Sequence, residues 1–90
     1  MNFGNAIEAL KDGKKVARQG WNGRGMWLIL VAGSKGIRPV AGTPYSNAGI
    51  TDKVDIEAHI DMFTAQGNMQ PGWLASQADM LADDWEVLSD

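Results

Sequence analysis

The chain contains no cysteine in 90 residues. That excludes a disulfide scaffold, thiolate zinc sites, iron–sulfur clusters and cysteine nucleophiles together. It contains one histidine, His59. A Ser-His-Asp triad stays arithmetically open, but a two-histidine metal site does not. Long apolar runs are missing as well. The longest, Met26–Ala32, is seven residues, against the roughly 20 that a membrane span needs. The first ten residues, MNFGNAIEAL, show no basic stretch ahead of an apolar one, so no secretory signal is expected.

What remains is the composition of a small globular protein. Hydrophobic residues make up 44% and charged residues 21%, neither disordered nor fibrous. A chain of this length holds one domain, residues 1–90, with one modest core and no room for a separate catalytic domain.

The net charge of −3 hides an asymmetry. Residues 1–51 carry seven Lys and Arg against two acids, a balance of +5. Residues 52–90 carry one Lys against nine acids, a balance of −8. In one small domain the two halves can simply compensate each other. The alternative is a dipolar surface, with a basic patch for an anionic ligand and an acidic patch for hydroxyls or a second subunit. A pI near 4.9 gives no continuous basic footprint for a DNA or RNA polymer. A small phosphorylated ligand needs only a local cluster.

The pattern along the chain is α+β: a small antiparallel β-sheet with two short helices. Phe3, Ala6, Ile7 and Leu10 fall on one helical face behind Asn2 as cap, and Asp12-Gly13 closes that helix. Lys14–Arg18 reads as a strand, Asn22–Gly25 as a turn, and Met26–Ala32 as an apolar strand. Gly33–Gly36 reads as a second turn and Ile37–Val40 as a short returning strand. Residues 41–52 read as a loop. Ile56, Ala58, Ile60 and Met62 alternate with polar residues, which predicts one half-buried strand. Met69–Leu74 is an edge or bulged segment because of Pro71 and Gly72. Ser76 opens a second helix running to about Ala82, and Trp85–Leu88 is a final strand.

Four tryptophans in so short a chain are the loudest signal. Trp27 and Trp85 lie inside apolar strands and are expected in the core. Trp21 precedes the Asn-Gly turn and Trp73 follows Pro-Gly. Aromatics beside glycine turns sit at sheet ends, where clefts form. A wide π-face with one N–H donor suits a nucleobase, or else a subunit interface.

The turn Asn22-Gly23-Arg24-Gly25 is a candidate anion contact, with glycine amides open to a phosphate and Arg24 as a charged fork. It is also a plain hairpin turn. Ser76 and Asp79 either cap their helix or, with Gln77, offer bonds to ribose hydroxyls at a helix N-terminus. Asp83-Asp84 reads as solvated surface rather than a catalytic carboxylate pair. His59 is out of phase with the apolar positions of its strand and reads as an exposed histidine with acidic neighbours.

These residues carry a resemblance. The segments KKVARQGWNGRGMWLIL and DMFTAQGNMQPGWLASQADMLADDWEVL resemble the second Thoeris anti-defence family of phage and prophage proteins. That family shares an N-terminal A-L-x-x-G-K-x-V-x-R-x-G-W-N-G-x-G-M segment and a C-terminal P-W-x-x-S-Q-x-D-x-L-A-x-D-W segment, and one relative is described as a type II-A anti-CRISPR. The resemblance covers residues 3–32 and 60–88. Gly72 is an insertion between Pro71 and Trp73, and residues 33–59 match nothing in the pattern.

The resemblance implies a sponge, not an enzyme, and no cofactor or metal. Its ligand would be glycocyclic ADP-ribose, made from NAD by a Toll/interleukin-receptor-type enzyme. Cyclic di- or trinucleotides would be held at a separate site in some members. It also implies a homotetramer, a dimer of dimers, with pockets between protomers in the bacterial host cytoplasm. Carried over by position, Trp21 and Trp73 would wall the adenine and ribose, and Asn22 and Gly23 would bond hydroxyl or phosphate. Arg24 would pair with phosphate, and Ser76, Gln77 and Asp79 would bond ribose or base edges. The rivals are a protein-binding inhibitor such as an anti-CRISPR blocking a nuclease, a hydrolase of the same signal, and a structural phage protein. The acidic C-terminal half favours the first of these, since it could mimic nucleic acid.

Overall fold

The computed structural model describes residues 1–21 and 25–89. Helix α1 spans Phe3–Lys11, and the Asn2 side chain caps it by accepting the Asn5 amide at 2.8 Å. Its apolar stripe buries Ala6 and Leu10 almost completely. The helix ends where Gly13 takes φ 84 and its amide returns to the Leu10 carbonyl, a left-handed termination that suits glycine.

The strands are β1 (Lys15–Arg18), β2 (Trp27–Val31), β3 (Ser34–Ile37), β4 (Val54–Ile56), β5 (His59–Phe63), β6 (Met69–Gln70) and β7 (Trp85–Leu88). Five of them form an antiparallel sheet in the order β6-β5-β2-β1-β7, and β3 with β4 forms a second, two-stranded one. Two further short helices are α2 (Pro44–Asn47) and α3 (Gln77–Leu81). The α+β reading therefore holds, with an extra helix and an extra small sheet.

Residues opposite each other in an antiparallel pair share a face. Val16, Leu28 and Trp85 lie on the face covered by α1, and with Ala6, Ala9 and Leu10 they make the core. The opposite face carries Trp27 stacked on Phe63, with centroids 4.8 Å apart, and Lys15 over the Trp27 ring. Trp27 was expected in the core. It is instead half-buried on the far side, because Leu28 takes the inward position of β2.

Four other expectations are corrected. The predicted turn at Gly33–Gly36 is mostly strand β3, with Gly36 at φ 63 inside it, and the returning strand at Ile37–Val40 does not form beyond Ile37. The loop at residues 41–52 contains α2, opened by Pro44 at its first turn. The single strand predicted from Ile56 to Met62 is two strands in different sheets, broken at Glu57-Ala58. Alternation alone cannot reveal a change of sheet between two apolar positions.

Gly33 explains how that change is packed. A side chain there would meet the Ile56 carbonyl and, at 2.9 Å, the Ala58 amide. Both are backbone atoms and cannot swing aside. Gly33→Ala is expected to cost about 1–3 kcal/mol through overpacking. Urea unfolding of the variant checks this, and a midpoint equal to the parent's would refute it.

Candidate functional site

The two tryptophan-bearing segments meet at one end of the core. Trp21 closes a single 3-10 turn after β1, and Trp73 lies in the link between β6 and α3. Their ring centroids are 6.2 Å apart, edge to face. Trp85 lies 5.3 Å from Trp21 and 6.1 Å from Trp73, and Phe3 lies 5.4 Å from Trp85. Trp21 and Trp73 are half-buried, so each packs on the core and keeps part of its surface open.

A charged network holds the cluster in place. Arg18 donates from Nε to Asp84 and from Nη1 to Asp79, both at 2.8 Å. The Trp21 indole N–H donates to the same Asp79 oxygen at 3.3 Å. Asp84 also accepts the Gly20 amide at 2.7 Å. The Trp85 indole N–H donates to the Asp79 carbonyl at 2.9 Å. A side chain at Gly20 would meet Asp84 at 2.8 Å, so glycine lets the backbone come close enough for that bond. Arg18 here ties β1 to Asp79 and Asp84, which lie 61 and 66 residues later.

Ser76 and Asp79 form a reciprocal cap on α3. The Asp79 amide donates to Ser76 Oγ at 3.0 Å, and the Ser76 amide donates to Asp79 Oδ2 at 3.1 Å. Both carboxylate oxygens of Asp79 are thus engaged within the chain. Gln77 is exposed at the first position of α3. Asn22, Gly23 and Arg24 lie outside the described residues.

A hollow of about 210 Å³ lies beside Trp21 and Gly25. Arg18, Gln19, Trp21, Gly25, Met26 and Glu86 border it. Trp73, Ser76, Gln77 and Asp79 do not. One chain therefore brings Trp21, Trp73, Ser76 and Asp79 into contact, but it does not set them around a single cavity. Among the described residues, no three His, Asp or Glu side chains gather as a metal ion would need. Among them too, no helix is long and apolar enough to cross a membrane.

The family model described as the Thoeris anti-defense 2-like domain matches residues 1–88. Over 89 residues the chain is 35% identical to Thoeris anti-defense 2 of Bacillus phage SP01, covering 99% of this chain and 96% of that protein. The chain belongs to the Thoeris anti-defense 2-like family. Its role is therefore phage anti-defence.

Two residues of this anti-defence chain carry more of the site than the sequence reading gave them. Arg18 and Asp84 each sit in one of the two motif segments, Asp84 beside Trp85 and Arg18 three residues before Trp21. Opposite charges at those fixed places were the available signal. Asp84 is not solvated surface as expected, because the Arg18 guanidinium and the Gly20 amide draw it inward. His59 is likewise not an exposed histidine. It is half-buried, with Nδ1 2.6 Å from the buried Asp61 carboxylate.

The network makes stability depend on pH. Burial pushes the Asp79 carboxyl up, but bonds from Arg18, the Ser76 amide and hydroxyl, and Trp21 overcome this and hold it below the ordinary range. The Arg18 hydrogen bond chiefly holds Asp84 low, against a smaller desolvation, with the Gly20 amide assisting. Both folded values lie below the unfolded ones, so the unfolded chain binds more protons in acid. The stabilisation is complete above about pH 4 and is lost as pH falls through the folded values. Urea midpoints should drop between neutral pH and about pH 3. Asp84→Asn should shrink that drop, and an unchanged drop in the variant would count against the network.

Proposed function

We propose that the chain is a sponge. It binds the cyclic nucleotide-like signal of a Thoeris system, glycocyclic ADP-ribose, and withholds it from the immune effector without cleaving it. The observation that carries this reading is the pairing of two part-open tryptophans with a small hollow beside Trp21. Indole faces take an adenine, and neighbouring amides take hydroxyls and phosphate. Family membership makes anti-defence the purpose of such a site.

The size of the hollow supports a shared pocket. Small-molecule sites usually run about 300–1,000 Å³, and 210 Å³ falls short of that. A second protomer would complete the enclosure, as in a homotetramer built as a dimer of dimers. In this reading the protein works in the bacterial host cytoplasm and uses no cofactor or metal. Cyclic di- or trinucleotides would take a separate site. Storage requires no nucleophile. The chemistry at hand is consistent with that, since both oxygens of Asp79 are committed to Arg18, Trp21 and Ser76. The same commitment weakens the nucleic-acid mimic, because Asp79 and Asp84 face Arg18 rather than a partner.

Titration calorimetry with glycocyclic ADP-ribose, beside linear ADP-ribose and a cyclic trinucleotide, tests the reading. Nanomolar affinity, about −12 kcal/mol, with fewer ligands than protomers is expected. Heating the complex should then release the signal intact. Lost signal would mean hydrolysis, and no heat with any ligand would move the function to a protein partner.

A further inference from the structure

Strand β6 does not run straight into the aromatic cluster. Met62 pairs with Gln70 and Phe63 with Met69. Continuing that register would set residue 72 opposite Ile60. Instead the Trp73 amide reaches the Ile60 carbonyl at 2.7 Å. One extra residue has been taken up between Gln70 and Trp73, the definition of a bulge. Pro71 has no amide to satisfy. Gly72 has one, and it sits at φ 79, a conformation that favours glycine.

The displaced Gly72 amide donates to Asp61 Oδ1 at 3.1 Å. Asp61 is buried, 6% exposed, on the β5 face opposite Ile60 and Met62. Its Oδ1 also lies 2.6 Å from His59 Nδ1, two residues along the same face. A carboxylate in that place has a cost unless it is bonded. Here its bonds are to the bulge and to the ring beside it.

We infer that Asp61, braced by His59, is the positioning residue for Trp73. It takes the amide that the inserted Gly72 removes from the ladder, and so fixes where the chain turns toward the cluster. The pair holds the bulge that carries the end of β6 toward the cluster. The functional part of this inference rests on Trp73 being a wall of the ligand site.

The test uses the full chain with and without Gly72, each carrying Asp61, Asp61→Ala or Asp61→Asn. The Trp73 indole resonance in a ¹H–¹⁵N spectrum, assigned through Trp73→Phe, reports ring position with no ligand present. Titration with glycocyclic ADP-ribose reports binding. In the parent, Asp61→Ala should move the Trp73 resonance and weaken binding about tenfold. Asp61→Asn keeps an oxygen for the Gly72 amide and should restore most of both. In the chain lacking Gly72, Asp61→Ala should change neither, a non-additivity expected only of coupled residues. If Asp61→Ala unfolds the parent but not the shortened chain, the inference stands. Equal effects in both chains, or an unmoved Trp73 resonance in the parent, overturn it. A moved resonance in a protein that never bound the ligand would refute the sponge and leave the positioning role intact.

Discussion

Trp85→Ala is expected to remove about 3–5 kcal/mol of stability, the largest loss from any single truncation in this chain. Trp85 is 2% exposed, and Phe3, Trp21 and Trp73 all pack on its ring. Its indole N–H also satisfies the Asp79 carbonyl. Alanine would open a cavity under α1 and strip that carbonyl of its donor. A domain of this size is stable by roughly 5–15 kcal/mol in all, so the variant would sit near the limit of folding. Trp85→Phe retains most of the apolar area and should lose about 1–3 kcal/mol. Urea unfolding followed by circular dichroism ranks the three proteins. A Trp85→Ala loss below about 1 kcal/mol would mean that the core is centred elsewhere.

Trp21→Ala and Trp73→Ala should each weaken binding of glycocyclic ADP-ribose by about a hundredfold or more, as loss of an aromatic hot spot does. Both rings also pack on the core, so each variant should lose stability as well, and binding must be read well below its melting temperature. Trp21→Phe separates two effects. It keeps a ring against Trp73 and Trp85 but drops the indole bond to Asp79. If both alanine variants bind as the parent does, the aromatic pair is structural and the ligand lies elsewhere.

Much of the fold was legible because its signals are local. The spacing of Phe3, Ala6, Ile7 and Leu10 gives α1, Ser76 with Asp79 marks the start of α3, and Trp85–Leu88 is a strand with the bounds expected. The misses at the site involve partners distant in sequence. Opposite charge is the one hint that Arg18 pairs with Asp84, and across 66 residues it does not single Arg18 out from the other basic residues. Nothing near Asp61 reveals that a bulge amide will arrive from Gly72. The outward position of β5 reads as polar, and its burial becomes visible only once strand order is known. The candidate site divides the same way. The tryptophans announce themselves by type and by their glycine neighbours, whereas the Arg18 network that orients Trp21 is a product of the sheet.

The aromatic cluster also bears on spectroscopy of this protein. Indoles held edge to face at 5.3 to 6.2 Å share their electronic excitations, so their transitions couple into paired bands of opposite sign in the far ultraviolet. Those bands overlap the region from which helix content is commonly read, and short helices such as α2 and α3 contribute little there to mask them. Backbone content taken from such a spectrum would be skewed. The same coupling gives a label-free signal, because a base sliding against Trp21 or Trp73 would detune the pair and change the band shape while the backbone stays still.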